Sequence, residues 1–406
     1  MIDFLKSQMG VSIALALFVI LAMQGAVAYC IYFERKIAAW VQDRIGPNRA
    51  GPWGLLQPIA DGIKFVFKED AIPGHVDKPL FLLAPAVIFI VASIGFVAIP
   101  WGGAWQIGDQ SLQIQVANPD VGLLFILGVA SMSVYGVVLG GWASNNKYSL
   151  FGAIRATAQM LSYEIPMGLC ILIVVLTTGA LRLEDVLAAQ TGYWLGVIPQ
   201  WNVFLHPIAF LILFITMLAE ANRTPFDLAE SEQELVGGYH TEYGALKFGM
   251  FFLAEYSHMI TSSAFLAVLF LGGWHLPWFS WTQPEATHLG AVLAKMLVLS
   301  TKVAFFLFVM MLIRWTIPRF RFDQLMRLAW KGLIPITLAL LVLTVGLVYF
   351  GRHRDPLWAL GGNAVVLFLT WAWNLRPGRL LTGRPTNLPD IGSALEGRIG
   401  AAGVTA

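Results

Sequence analysis

Charge is scarce in this chain. Asp, Glu, Lys and Arg make up only 12% of its 406 residues, where a soluble domain carries roughly 25%. That shortage excludes a soluble globular enzyme and a disordered chain. Cysteine is nearly absent too. Cys30 and Cys170 both lie in apolar runs, which excludes a secreted disulfide scaffold. No C-x-x-C is present to hold zinc or an iron–sulfur cluster. No G-x-G-x-x-G follows a strand pattern, and there is no G-x-x-x-x-G-K-[ST] phosphate loop. The seven histidines are scattered without H-E-x-x-H spacing. A net charge of +2 is too small to point to nucleic acid. The first apolar run is too long for a signal peptide and lacks a small-residue cleavage site, so it reads as a retained span.

What the chain has is hydrophobic length: 57% of its residues are apolar. A helix that crosses a bilayer needs about 20 mainly apolar residues. Nine stretches qualify: 10–33, 79–100, 119–143, 157–180, 203–222, 247–272, 289–316, 333–351 and 356–375. Open sheet cannot face lipid, because its unpaired backbone groups cost too much there. The expected fold is therefore an all-α polytopic membrane bundle of about nine spans. The loops 34–78, 144–156, 223–247 and 314–331, with the tail from 376, hold 20 of the 26 lysines and arginines. By the positive-inside rule these face the cytoplasm, which places the N-terminus outside and the C-terminus inside. Trp101, Trp105, Trp194, Trp201, Trp274, Trp278 and Trp281 fit an interfacial belt on the outer side.

Two cytoplasmic segments stand out. In the first, Pro58 can open a helix. Ile59, Ile63, Val66 and Phe67 then fall on one face, and Asp61, Lys64 and Lys68 on the other. This predicts an amphipathic helix over about 57–69 on the membrane surface, either an anchor or the floor of an opening for an amphipathic ligand. The second, about 220–242, carries Glu220, Asp227, Glu230, Glu232, Glu234 and Glu242 against a single Arg223. Thr224, Pro225 and Asp227 read as a capped helix start. Glu164, Glu220 and Glu255 lie in or near spans, where carboxylates must face the bundle interior or water. Closely spaced carboxylates at that depth suit proton relay, since one charge change shifts a neighbour's proton affinity. The competing reading is structural pairing with Arg155, Arg223 or Lys247. Lys295 and Lys302, seven residues apart in one span, either extend the relay or snorkel and pair.

Gly54–Glu69 and Glu220–Tyr243 resemble the two signature regions of subunit 1 of respiratory complex I, the H subunit of bacterial NADH:quinone oxidoreductases. Glu34–Lys36 (ERK), Asp43–Arg49 (DRIGPNR) and Ser162–Pro166 (SYEIP) resemble it too, and the likeness covers about residues 10–350. It departs at Ser231, where the family usually has Gly or Ala, and at His240, where Asn is usual. The resemblance implies an eight-helix core over 1–351, and an additional C-terminal helix and cytoplasmic tail over 352–406. It implies a non-redox subunit of the bacterial plasma membrane that supplies the membrane part of a quinone tunnel and a carboxylate relay for proton pumping. Arg35, Asp61, Lys64 and Phe252 would line or gate the tunnel. Glu220, Arg223, Asp227, Glu230, Glu232 and Glu234 would form an acidic junction, which Glu164, Glu242 and Glu255 continue into the membrane. The substrate would be ubiquinone or menaquinone, with no FMN, haem or iron–sulfur cluster on this chain. Partners would be lipid and the other complex I subunits: the hydrophilic-arm quinone-site and iron–sulfur subunits, and the small and antiporter-like membrane subunits. The related reading is the membrane subunit of an energy-converting hydrogenase. Readings of other classes are a proton-coupled transporter, which would show paired broken helices, and a structural anchor, which needs no carboxylates within its spans.

Overall fold

The computed structural model describes residues 8–107, 110–194, 196–228 and 235–374. Its helices are α1 (Gln8–Val41), α2 (Gln57–Phe67), α3 (Lys78–Ile94), α4 (Gly122–Ala143), α5 (Lys147–Thr178), α6 (Leu183–Ala188), α7 (Asn202–Leu205), α8 (Pro207–Glu220), α9 (Ala245–Phe270), α10 (Leu289–Thr316), α11 (Phe322–Arg327), α12 (Ile334–Tyr349) and α13 (Pro356–Asn374). A π-helical turn, Leu328–Leu333, joins α11 to α12. Among the described residues the only sheet is two short antiparallel hairpins, β1 (Ala104–Ile107) with β2 (Gln110–Gln113), and β3 (Tyr193–Trp194) with β4 (Ile198–Pro199).

The fold is all-α, as composition requires. Six segments are long and apolar enough to cross a bilayer: Met9–Val41, Gly122–Ala143, Lys147–Thr178, Ala245–Phe270, Leu289–Thr316 and Phe322–Tyr349. The other three expected spans fall on shorter apolar helices, α3, α8 and α13. Length and composition thus support six crossings, and the count of nine stays an expectation.

Helix ends differ from the hydropathy boundaries, for local reasons. Helix α1 continues past residue 33 to Val41, because no glycine or proline interrupts it before Gly46-Pro47. Arg35 and Lys36 are therefore helical, not in a loop. Helix α5 starts ten residues before the expected span, where the Asn146 side chain accepts from Tyr148 N and caps it. It ends at Gly179, which adopts the left-handed φ of 71° typical of a C-cap. The fifth span is broken at His206, with Pro207 opening α8. Asn363 of α13 donates to the Leu205 carbonyl at this break, at 2.9 Å. Such a partner is needed where a helix end is cut off from water.

Helix α9 sits at the centre, packed against α1, α2, α3, α8 and α10. Its apolar window is 78% buried, against 17% for α1. Its apolar stretch is also the least hydropathic of the six, and it carries Lys247, Glu255, Tyr256, Ser257, His258, Thr261, Ser262 and Ser263. Lipid solvates apolar side chains as well as protein does, so polar residues set which helix goes inside. The main core gathers α5, α8, α9 and α10. A second cluster joins α3, α4 and α5 to Tyr239 and Tyr243, with Phe81 stacked on Tyr243 at 4.0 Å.

Candidate functional site

The ionisable groups of α1, α9, α10 and the turn after α8 converge on one carboxylate, Glu34. It is only 6% exposed. It accepts from Arg223 at 3.2 Å through both oxygens and from the Tyr256 hydroxyl at 2.7 Å, and it pairs with Arg314. Arg223 also pairs with Glu255 and lies 4.1 Å over the Tyr256 ring. Two carboxylates thus face two guanidiniums. This balance is what burial demands, because removing one partner of a buried pair strands the other at a cost of ~3–5 kcal/mol.

The cluster forms one wall of a pocket of about 460 Å³, lined by Ile31, Glu34, Arg35, Phe252, Tyr256 and Arg314 among others. Arg35 is held from outside by Asp61 of α2 at 2.8 Å. Asp61 also accepts from Gln57 at 3.2 Å and sits 3.7 Å from the exposed Lys64. On the other flank of α1 lies an apolar groove of about 690 Å³ between α1 and α10, walled by Phe18, Met23, Tyr29, Phe33, Val303 and Phe308 among others. The two cavities share α1 as a wall. One is charged and polar, and the other is lined almost wholly by carbon. Helix α2 leaves Ile59, Ile63, Val66 and Phe67 exposed on its apolar face, as its sequence pattern predicts.

A second acidic centre joins α8 to α9. Glu220, at the end of α8, is 3.6 Å from His258 of α9. Glu164 of α5 is close enough for its charge to act on Glu220. Buried Gln159 ties α5 to this end of α8 by donating to the Ala219 and Phe226 carbonyls, each at 2.8 Å.

The remaining candidates fall as follows. Arg223 pairs with Glu34 and Glu255. Thr224, Pro225 and Asp227 do not begin a helix. Residues 221–228 form turns, closed by Phe226 N to Arg223 O at 2.7 Å and by Phe320 N to Pro225 O at 3.1 Å. Asp227 pairs instead with Arg319 at 2.9 Å. The tertiary bonds to 319–320 replace the expected cap. Glu230, Ser231, Glu232 and Glu234 lie outside the described residues. Glu242 accepts from Asn146 at 2.7 Å and lies 3.9 Å from His75. The His240 ring meets Tyr239 and Phe248 edge-on, each at 5.1 Å. Lys247 pairs with Asp70 at 2.6 Å. Lys302 donates to the carbonyls of Leu271, Gly273 and His275 at 2.6–2.8 Å, and Lys295 to Ala286 O at 2.8 Å. Both lysines thus fasten the loops that follow α9, rather than joining the carboxylates.

Sequence reasoning passed over Glu34, Tyr256, His258 and Arg314 as site residues. Three carried a readable signal. Glu34 and Arg314 are ionisable groups at the ends of apolar runs, and His258 stands within one. Tyr256 gave none beyond its place next to Glu255. Among the described residues no group of three or more His, Cys, Asp or Glu side chains is placed to hold a metal ion.

Bacterial respiratory proteins are similar to this sequence along most of its length. It is 47% identical over 319 residues to the H 1 subunit of NADH-quinone oxidoreductase from Cytophaga hutchinsonii, covering 78% of this chain and 90% of that one. It is 48% identical over 319 residues to the H subunit from Protochlamydia amoebophila, covering 79% and 92%. It is 46% identical over 332 residues to the H 1 subunit from Geobacter metallireducens, covering 82% and 94%. The NADH dehydrogenase family matches residues 13–345, a stretch that holds both acidic centres and both cavities. The chain therefore belongs to the NADH dehydrogenase family, as a relative of the H subunits of bacterial NADH-quinone oxidoreductases.

Proposed function

We propose that this chain is a membrane subunit of a proton-translocating NADH:quinone oxidoreductase, catalytic only within the complex. It forms the membrane part of the quinone channel and a carboxylate relay that couples quinone reduction to proton movement. The observation that carries this reading is the pairing of a charged pocket and an apolar groove across α1. A quinone is an amphiphile with a polar, reducible head and an isoprenoid tail. The pocket offers hydrogen-bond donors and fixed charge to the head, and the groove offers carbon to the tail. Arg35, held by Asp61, and Phe252 flank the head, and Lys64 steadies Asp61. Electrons come from an iron–sulfur subunit of the hydrophilic arm, while the small and antiporter-like membrane subunits receive the relay. Loop basicity supports a bacterial plasma-membrane orientation with the N-terminus outside and the C-terminus cytoplasmic.

Reduction adds negative charge to the head before protons arrive. Arg314, which lines the pocket, stabilises that charge, and the change loosens the hold of Arg314 and Arg223 on Glu34 and Glu255. The disturbance passes through Arg223 and the short turn 221–222 to Glu220 and Glu164. Glu220, Arg223, Asp227, Glu230, Glu232 and Glu234 form the acidic junction, which Glu164, Glu242 and Glu255 continue into the membrane.

Arg314→Met, at the partly exposed edge of the cluster, is expected to leave an assembled, NADH-active complex on a native gel. Its quinone reduction falls by about tenfold or more, the scale of losing one charge-stabilising group. Wild-type quinone kinetics in an assembled complex would rule out a role for the pocket.

A further inference from the structure

The Glu220 centre contains a base that neither the carboxylate pattern nor the family assignment uses. His258 of α9 presents Nε2 to Glu220 Oε1 at 3.6 Å. Its other nitrogen, Nδ1, faces Ser262 Oγ at 3.4 Å. The Ser262 hydroxyl donates to the His258 carbonyl at 2.7 Å, so its hydrogen is committed and its oxygen is left to accept. Nδ1 must therefore carry the imidazole hydrogen, which leaves the Nε2 lone pair aimed at Glu220. Beside the pair is a small cavity of about 40 Å³ that reaches Glu220, His258, Thr261 and Ser262. A cavity needs only about 10–15 Å³ and two to four polar partners to hold a water. Its remaining walls include Val91 and Ala92 of α3, Gly95 just after it, and Ile126 and Ala130 of α4. Among the described residues, α3 and α4 bring no titratable group to the cavity. The charged and titratable groups around His258 are Glu220 from α8, Glu164 from α5 acting through Glu220, and Glu255 and Tyr256 on its own helix.

We propose that His258 is the proton-exchange partner of Glu220, and that the adjoining cavity is a hydrated chamber serving the pair. The inference rests on the carboxylate-relay reading above. One proton moves between Glu220 Oε1 and His258 Nε2 through one water, because 3.6 Å is too long for a direct hydrogen bond. The O–H bond breaks as the N–H bond forms, and nothing is oxidised or reduced. With one proton the pair is neutral overall, as carboxylic acid plus imidazole or as carboxylate plus imidazolium. It therefore stores a proton at membrane depth without net charge, which lowers the cost of holding one there. A negative Glu164 favours keeping the proton, and a neutral Glu164 favours its release. His258 thus acts as a positioning and proton-holding residue for Glu220, away from the quinone pocket.

The test uses inside-out vesicles of native membranes, whose intact complex is driven by NADH with its own quinone pool. NADH oxidation and acidification of the lumen are followed from about pH 5.5 to pH 8, the range in which an imidazole titrates. His258→Asn keeps polarity and approximate size but cannot titrate. It is expected to leave the amount of complex unchanged, lower acidification per NADH by about tenfold or more, and remove the acid limb of the pH profile. Ser262→Ala keeps the imidazole but frees its tautomer, and is expected to move the same limb by less. If His258→Asn does not assemble, Ser262→Ala decides, and an unchanged profile overturns the inference. A wild-type profile and pumping in His258→Asn beside an impaired Glu220→Gln overturns it while leaving the relay standing. Wild-type behaviour in Glu220→Gln removes the relay itself, and this inference with it.

Discussion

At the scale of residues, the molecule shows how charge survives where water is scarce. Glu34 is tolerated because Arg223, Arg314 and Tyr256 all reach it, and Arg223 because it also reaches Glu255. A guanidinium suits two carboxylates and an aromatic face at once, because it is a planar fork with five N–H donors. On the opposite side, His275 illustrates the cost of burial beside a like charge. It is fully buried, and that burial together with the neighbouring Lys302 charge pushes its pKa down from 6.5 to about 4. The folded chain holds His275 neutral, while the unfolded chain protonates it below about pH 6.5. The stability linked to His275 is therefore complete above that pH and is lost progressively as pH falls towards 4. Thermal unfolding of the purified complex at pH 7.5 and pH 5 is expected to show a drop that His275→Gln reduces. An equal drop in the variant would mean that His275 titrates freely in the fold.

At the scale of elements, close backbone approach decides which segments dock. Gly152 of α5 lies against the turn at Gly238–Tyr239. A Cβ placed there would come within 2.7 Å of Gly238 Cα and 2.8 Å of Tyr239 N. Neither is a flexible side-chain end, so the 238–243 segment would have to move, along with its Glu242–Asn146 bond and its Tyr243–Phe81 stack. Gly152→Ala is expected to cost ~1–3 kcal/mol, the range for overpacking, and to lower the melting temperature of the complex. A thermal scan showing no change would mean that the turn shifts freely. The same scale explains the acidic loop. Pro225 and its flanking residues carry a helix-start pattern, but Arg319–Asp227 and Phe320 N–Pro225 O hold them as turns. Contacts 92 or more residues distant in sequence override a local preference worth only about 1 kcal/mol.

At the scale of the whole molecule, the two ends of the bundle are built differently. The charged pocket, the acidic turn and α2 gather at one end. At the other, Lys295 and Lys302 are spent on backbone carbonyls. Helix α13 lies beyond the family match, which ends at residue 345, and it packs on α7 and α12. A chain ended after Gly351 is expected to keep quinone reduction per assembled complex within about twofold, because distant sites act independently. The complex should lose thermal stability, since Leu205 O loses Asn363. Loss of activity in assembled complex would show instead that α13 supports the site. Much of this was legible in the residues alone. Hydropathy gave the helical class and the six segments long and apolar enough to cross a bilayer, and residue spacing gave the face of α2. The motifs gave the family. The sequence by itself could not say which ion meets which. Glu34 and Arg314 stand 280 positions apart, with Arg223 and Glu255 between them, and only the packing of α1, α9 and α10 makes them one cluster. It could not say that the lysines of α10 bond loop carbonyls, or that His258 reaches Glu220. Pairing energy depends on distance and desolvation, and both are properties of the folded bundle, set by which helix it places at its centre.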